Sequence, residues 1–172
     1  MTSSLTLAYV NDMDAAAFVK AFGGIAEHSP WVAEAAYASH PFKAVEAVVA
    51  AFASALFAAG EDRQLALIRA HPDLAGKAAI AGTLTRASFS EQAGAGLDTL
   101  TAGEFEAFTA FNARYLEKFG FPFILAVKGA TKYIILKAFE DRLENDRALE
   151  FRTALEQIVK IMRFRLEDCI HD

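Results

Sequence analysis

Thr101-Ala102-Gly103-Glu104-Phe105-Glu106-Ala107-Phe108-Thr109-Ala110-Phe111-Asn112-Ala113-Arg114-Tyr115 is the stretch on which the fold turns. Thr101 and Glu104 have the spacing of a capping box, in which each residue satisfies a backbone N–H of the first turn. Behind them Phe105, Phe108, Phe111, Asn112 and Tyr115 recur at helical intervals. Gly120 closes the run. A strongly capped helix with an aromatic face is therefore predicted, and the same grammar extends in both directions.

Upstream, Asn11 or Asp12 is expected to cap a helix through about Phe22, stopped by Gly23-Gly24. Ser29-Pro30 reads as an N-cap followed by proline at the first helical position. Pro41 is expected to open a helix whose buried face carries Val45, Val48, Val49, Phe52 and Leu56, ending at Gly60. Glu61 to Ala70 is a short helix with Leu65 and Ile68 inward. Residues 72 to 87 are less periodic, and Ser88-x-x-Glu91 has the form of a second capping box. Downstream, Thr131 to Leu143 and Asp146 to about Cys169 are the last two helices. Between Gly120 and Thr131 lies Phe121-Pro122-Phe123-Ile124-Leu125-Ala126-Val127, an apolar run broken by proline. No hairpin signal, repeat or low-complexity linker interrupts the series. The expectation is an all-α fold, one compact multi-helix domain over residues 1–172.

Composition agrees. Of 172 residues, 54% are hydrophobic and 15 are Phe, so large rings must fill the core. A net charge of -5 disfavours nucleic acid, whose phosphates require a basic surface. The single cysteine, Cys169, rules out an internal disulfide and leaves a cysteine-based zinc site without partners. No apolar stretch approaches the roughly 20 residues of a membrane span, and the N-terminus lacks a signal-peptide pattern. A cytoplasmic protein with no membrane association is expected.

Four places carry chemistry. In His71-Pro72-Asp73-Leu74-Ala75-Gly76-Lys77, proline drives the preceding residue out of helical geometry. His71 therefore ends a helix and places a group that titrates near neutrality on a stiff corner. A lone histidine is more often structural than catalytic. His28, His40 and His171 read as solvated or structural, without metal-site spacing. At Ser88-Phe89-Ser90-Glu91-Gln92, the plain reading is a helix cap. Gln92, however, has no part in a capping box, and its amide suits a ureido or imide edge. The 121–127 run is either a hydrophobic plug or an irregular segment whose buried backbone groups need partners, which a flat polar ligand would supply. On the last helix, Arg165 falls inside an apolar arc, where it requires a structural carboxylate, an anionic ligand or a path to water. No metal site is predicted.

Together these clusters resemble one family. His71-Pro72-Asp73-Leu74-Ala75-Gly76-Lys77, Ser88-x-x-Glu91-Gln92-x-x-Ala95-Gly96-Leu97 and Phe108-x-x-Phe111-Asn112-x-x-Tyr115-x-x-Lys118-Phe119-Gly120-Phe121-Pro122-Phe123-Ile124 look like 2-oxo-4-hydroxy-4-carboxy-5-ureidoimidazoline (OHCU) decarboxylase of urate degradation. Val127-Lys128-Gly129 and Arg165-Leu166 extend the likeness. It implies an all-α enzyme that needs no cofactor and converts a small ureidoimidazoline to (S)-allantoin and CO2, commonly as a homodimer. It assigns His71 as the catalytic residue and Pro72, Ser88, Phe89, Ser90, Glu91, Gln92, Phe123, Ile124, Leu125, Ala126, Val127 and Arg165 as substrate-binding. On the residues alone, three other classes stay open. These are a helical binding module, a metal-dependent hydrolase recruiting His71 and Asp73, and a Schiff-base decarboxylase using Lys77 or Lys128.

Overall fold

A computed structural model describes residues 4–172. Ten α-helices run through them, with one short pair of parallel two-residue strands. The all-α expectation holds. The chain forms two compact units, one from residues up to Ala70 together with Ile158–Asp172, the other from His71–Gln157.

The first unit begins with β1 (Leu5–Thr6) and α1 (Leu7–Asn11), followed by α2 (Ala15–Phe22), α3 (Trp31–Ala36), a 3-10 turn at Tyr37–Ser39, α4 (Val45–Ala58) and α5 (Glu61–Ala70). The helix expected from Asn11 or Asp12 to Phe22 starts later, as α2, and α1 ends where it was expected to begin. Asp14, whose side chain accepts from Ala17 N–H, caps α2. Asn11 is otherwise occupied: its amide donates to Phe42 O and accepts from Phe42 N, both at 2.8 Å. That bidentate pairing also explains why Pro41 does not open a helix. His40-Pro41 is a cis peptide in an irregular segment held by Asn11, and α4 starts only at Val45. On α4, Val48, Val49, Phe52 and Leu56 are buried as expected, whereas Val45 is half-buried. On α5 the inward residues are Gln64, Leu67 and Ile68 rather than Leu65. Pro30, not Ser29, occupies the cap position of α3. Phe18 centres the unit, its ring within 4.8–6.3 Å of Phe22, Tyr37, Phe42 and Phe52.

The second unit contains α6 (Lys77–Ala81), α7 (Arg86–Gly94), α8 (Ala102–Phe119), α9 (Lys132–Leu143) and the first part of α10 (Arg147–Cys169). The remainder of α10 and β2 (Ile170–His171), which pairs with β1, belong to the first unit. The Thr101–Glu104 capping box is complete in both directions, and Gly120 ends α8 at φ +78. Thr131 caps α9, as its spacing predicts. The second capping box is not formed. Thr85 caps α7, accepting from Ser88 N–H, and Ser88 lies buried inside the helix. Aromatic packing centres on Phe123, which stacks on Phe139 at 3.8 Å and meets Tyr115 edge-on at 5.2 Å.

Candidate active site

His71 is the residue immediately after α5, and it is buried at 7% exposure. The helix stops where proline forbids it to continue, so the imidazole leaves the chain at a fixed corner. Pro72 and Asp73 are half-buried, Leu74 and Ala75 buried. Burial pushes the Asp73 carboxyl above its usual range, with Lys77 opposing the shift in part. Ala75 adopts φ +52, a left-handed conformation disfavoured for a residue with a Cβ. Gly76 is needed for space, since a Cβ there would lie 2.5 Å from that of Asp73.

Gln92 reaches this corner from α7. Its Oε1 accepts from Ala75 N–H at 3.0 Å, and its Nε2 donates to Asp73 O at 3.3 Å. Its amide therefore grips protein backbone. With Thr85 as cap, Glu91 and Gln92 sit in the later turns of α7 rather than at its start, where the capping-box spacing would put them. Ser88 is buried and Glu91 half-buried, while Ser90 is exposed. Phe89, 57% exposed, lines an apolar groove of about 480 Å³ with Ile80, Leu84, Leu97 and Phe105.

The Phe123–Val127 strip is irregular, as its proline predicts, and Phe123, Ile124 and Val127 are buried. Several of its backbone groups already have protein partners. Arg142 Nη1 donates to Ile124 O at 2.6 Å, Gln157 Oε1 accepts from Ala126 N–H at 3.0 Å, and Val127 O accepts from Ala130 N–H at 2.9 Å. Arg142 also lies over the Phe123 ring at 4.3 Å and pairs with fully buried Glu150 at 2.7 Å. Tyr115 donates its phenol proton to Glu150, and burial holds that phenol well above its ordinary range. The strip is thus braced from α9 and α10.

Arg165 lies in the first unit and is buried, as its place in the apolar arc requires. Its Nη1 donates to Glu27 at 2.9 Å and to Ile25 O at 3.1 Å. Glu27 is itself 2% exposed. The structural-carboxylate reading of this arginine is therefore realised, whatever else the guanidinium meets.

Four residues here escaped the sequence reading of the site: Asn112, Arg142, Gln157 and Glu27. Asn112 and Arg142 had a legible signal, because each falls among inward apolar neighbours on its helix, beside Phe108 and Tyr115 or Ile135 and Phe139. Glu27 and Gln157 had none.

An all-helical fold that buries a histidine at a proline corner fits a small helical enzyme. Residues 11–167 match the OHCU decarboxylase family. The 2-oxo-4-hydroxy-4-carboxy-5-ureidoimidazoline decarboxylase of Haloferax volcanii is 44% identical over 164 residues, covering 95% of each chain. A crystal structure of (S)-allantoin synthase matches with TM-score 0.78 at 32% identity, over 96% of this chain and 54% of that one. A crystal structure of OHCU decarboxylase in the presence of (S)-allantoin matches with TM-score 0.66 at 25% identity, over 80% and 88%. The chain belongs to the OHCU decarboxylase family.

Proposed function

We propose that this protein decarboxylates OHCU to (S)-allantoin and CO2, with His71 as general acid/base. The observation that carries the reading is the family match over residues 11–167. The bond to the carboxylate breaks, and its electron pair passes into the ring's own conjugated carbonyl and imine. The ring nitrogen that receives the pair takes up one proton; the hydroxyl proton then leaves as the carbonyl forms, while a proton is delivered to one face of the adjacent ring carbon. Because the substrate carries its electron sink, the chemistry needs no cofactor. What the protein supplies is orientation and a proton donor of suitable pKa.

In this reading His71 transfers the proton and Pro72 fixes its imidazole. Ser88 and Glu91 bind the ureido or ring N–H groups, and Arg165 offsets the substrate's negative charge. Gln92 and the Phe123–Val127 strip shape the site, chiefly through contacts that hold the backbone. Residues 1–172 act as one domain, in the cytoplasm, as a homodimer, without nucleic-acid or membrane partners. Among the described residues no helix is long and apolar enough to cross a membrane.

The test generates the unstable substrate in situ from urate with the two preceding activities and follows allantoin by circular dichroism. Accelerated formation of one enantiomer, retained in strong chelator and without borohydride trapping, is expected. Racemic product at the uncatalysed rate overturns the reading. Sedimentation equilibrium reports the dimer.

A further inference from the structure

The geometry points to Asn112 as a positioning residue that, with Gln92, sets the His71 corner; this rests on the decarboxylase reading above. Three consecutive residues after Pro72 are held by two side-chain amides from different helices. Asp73 O and Ala75 N–H bond to Gln92 of α7, and Leu74 O accepts from Asn112 Nδ2 of α8 at 2.8 Å. A local backbone bond in the segment, Gly76 N–H to Asp73 O, is longer at 3.4 Å. No helix or strand ladder runs through residues 71–76. Buried backbone groups outside regular structure need such partners, and here an amide suits because it offers donor and acceptor on one rigid plane.

Two further observations single out Asn112. Its Oδ1 is buried and has no hydrogen-bond partner among the described residues, so the contact this amide makes with protein is the one to Leu74 O. It also stands on α8 between buried Phe108 and Tyr115, where an apolar residue would pack without leaving a polar atom unsatisfied. The segment it holds contains Ala75 at φ +52, a conformation that persists only when its surroundings over-determine it. Releasing Leu74 O lets that turn relax, and the imidazole two residues before Asp73 moves with it.

The experiment compares Asn112→Leu, the near-isosteric Asn112→Asp, Gln92→Met and the Asn112→Leu/Gln92→Met double variant, using substrate generated in situ. Expected for Asn112→Leu and Asn112→Asp is a kcat about 10- to 100-fold lower, the scale of a misplaced reacting group. KM should stay within about three-fold, and the enantiomeric purity of the product should fall. Because both amides act through one segment, the double variant should lose less than the product of the single losses. Wild-type kcat in folded Asn112→Leu overturns the proposal, as does a loss in KM alone. Hydrogen exchange at the Ala75 amide of the unaltered protein needs no variant: protection supports the clamp, and open-loop exchange overturns it. His71→Ala is assayed alongside. Full turnover in His71→Ala sinks the parent reading, whereas inactive His71→Ala beside fully active Asn112→Leu sinks the positioning role alone.

Discussion

At His71 the protein combines burial with a backbone that cannot shift freely, since α5 ends at Ala70 and Pro72 follows directly. His71→Ala is expected to fold with the wild-type circular dichroism spectrum and to lose about 10²- to 10⁴-fold in kcat, the usual share of a general acid or base. Asp73 makes a separate prediction. Burial raises its carboxyl pKa above the unfolded value. Protonation therefore stabilises the native state, and that advantage is lost as pH rises from the ordinary carboxylate range through the raised folded value. Asp73→Asn should melt above the wild type near neutrality, with the gap closing in acid; a gap independent of pH would contradict it. The His-Pro corner was legible because proline acts on the residue before it, whatever the fold. The role of Gln92 was not. Its amide suits a ligand or a backbone equally well, and its bonds to Asp73 O and Ala75 N–H follow from where the fold places those residues.

Among the elements, those with unambiguous local punctuation were legible, and those with competing caps or distant partners were not. The capping residue and left-handed glycine of α8, and the Thr131 cap of α9, emerged where their spacing placed them. At α7 two hydroxyls compete, three residues apart, and Thr85 takes the cap while Ser88 turns inward. Thr85→Ala should accordingly cost about 1 kcal/mol in denaturant unfolding, as a lost N-cap does; no loss would return the cap to Ser88. Glu91→Ala forfeits no cap, so any effect it has on stability arises elsewhere. The Asn11 cap was misread for a similar reason. A side chain that suits a helix start also suits the Phe42 backbone, and sequence spacing does not reveal a partner 31 residues away. The irregular Phe121–Val127 strip was legible from its internal proline, but not its bracing by Arg142 and Gln157.

Across the whole molecule, each unit has an aromatic centre and a buried ion pair: Arg165 with Glu27 in one, Arg142 with Glu150 in the other. Such pairs are weak sources of net stability, but breaking one leaves a buried charge uncompensated. Arg165→Met should therefore destabilise the protein by about 3–5 kcal/mol in urea, and adding Glu27→Gln should recover part of that. If Arg165→Met unfolds at the wild-type midpoint, the pair has no structural weight and the arginine serves the ligand alone. The family and the all-helical class were visible from ordered motifs spread along the chain. The carboxylate that accompanies Arg165 was not, because Glu27 lies 138 residues away in an irregular segment. The central claim, a decarboxylase whose proton passes through His71, is tested most directly by the enantiomeric purity of allantoin formed from freshly generated OHCU. The wild-type protein should yield the (S) enantiomer faster than the uncatalysed reaction, and in folded His71→Ala both rate and enantiomeric excess should fall toward those of the uncatalysed reaction. Fast, enantiopure product from His71→Ala would contradict the account.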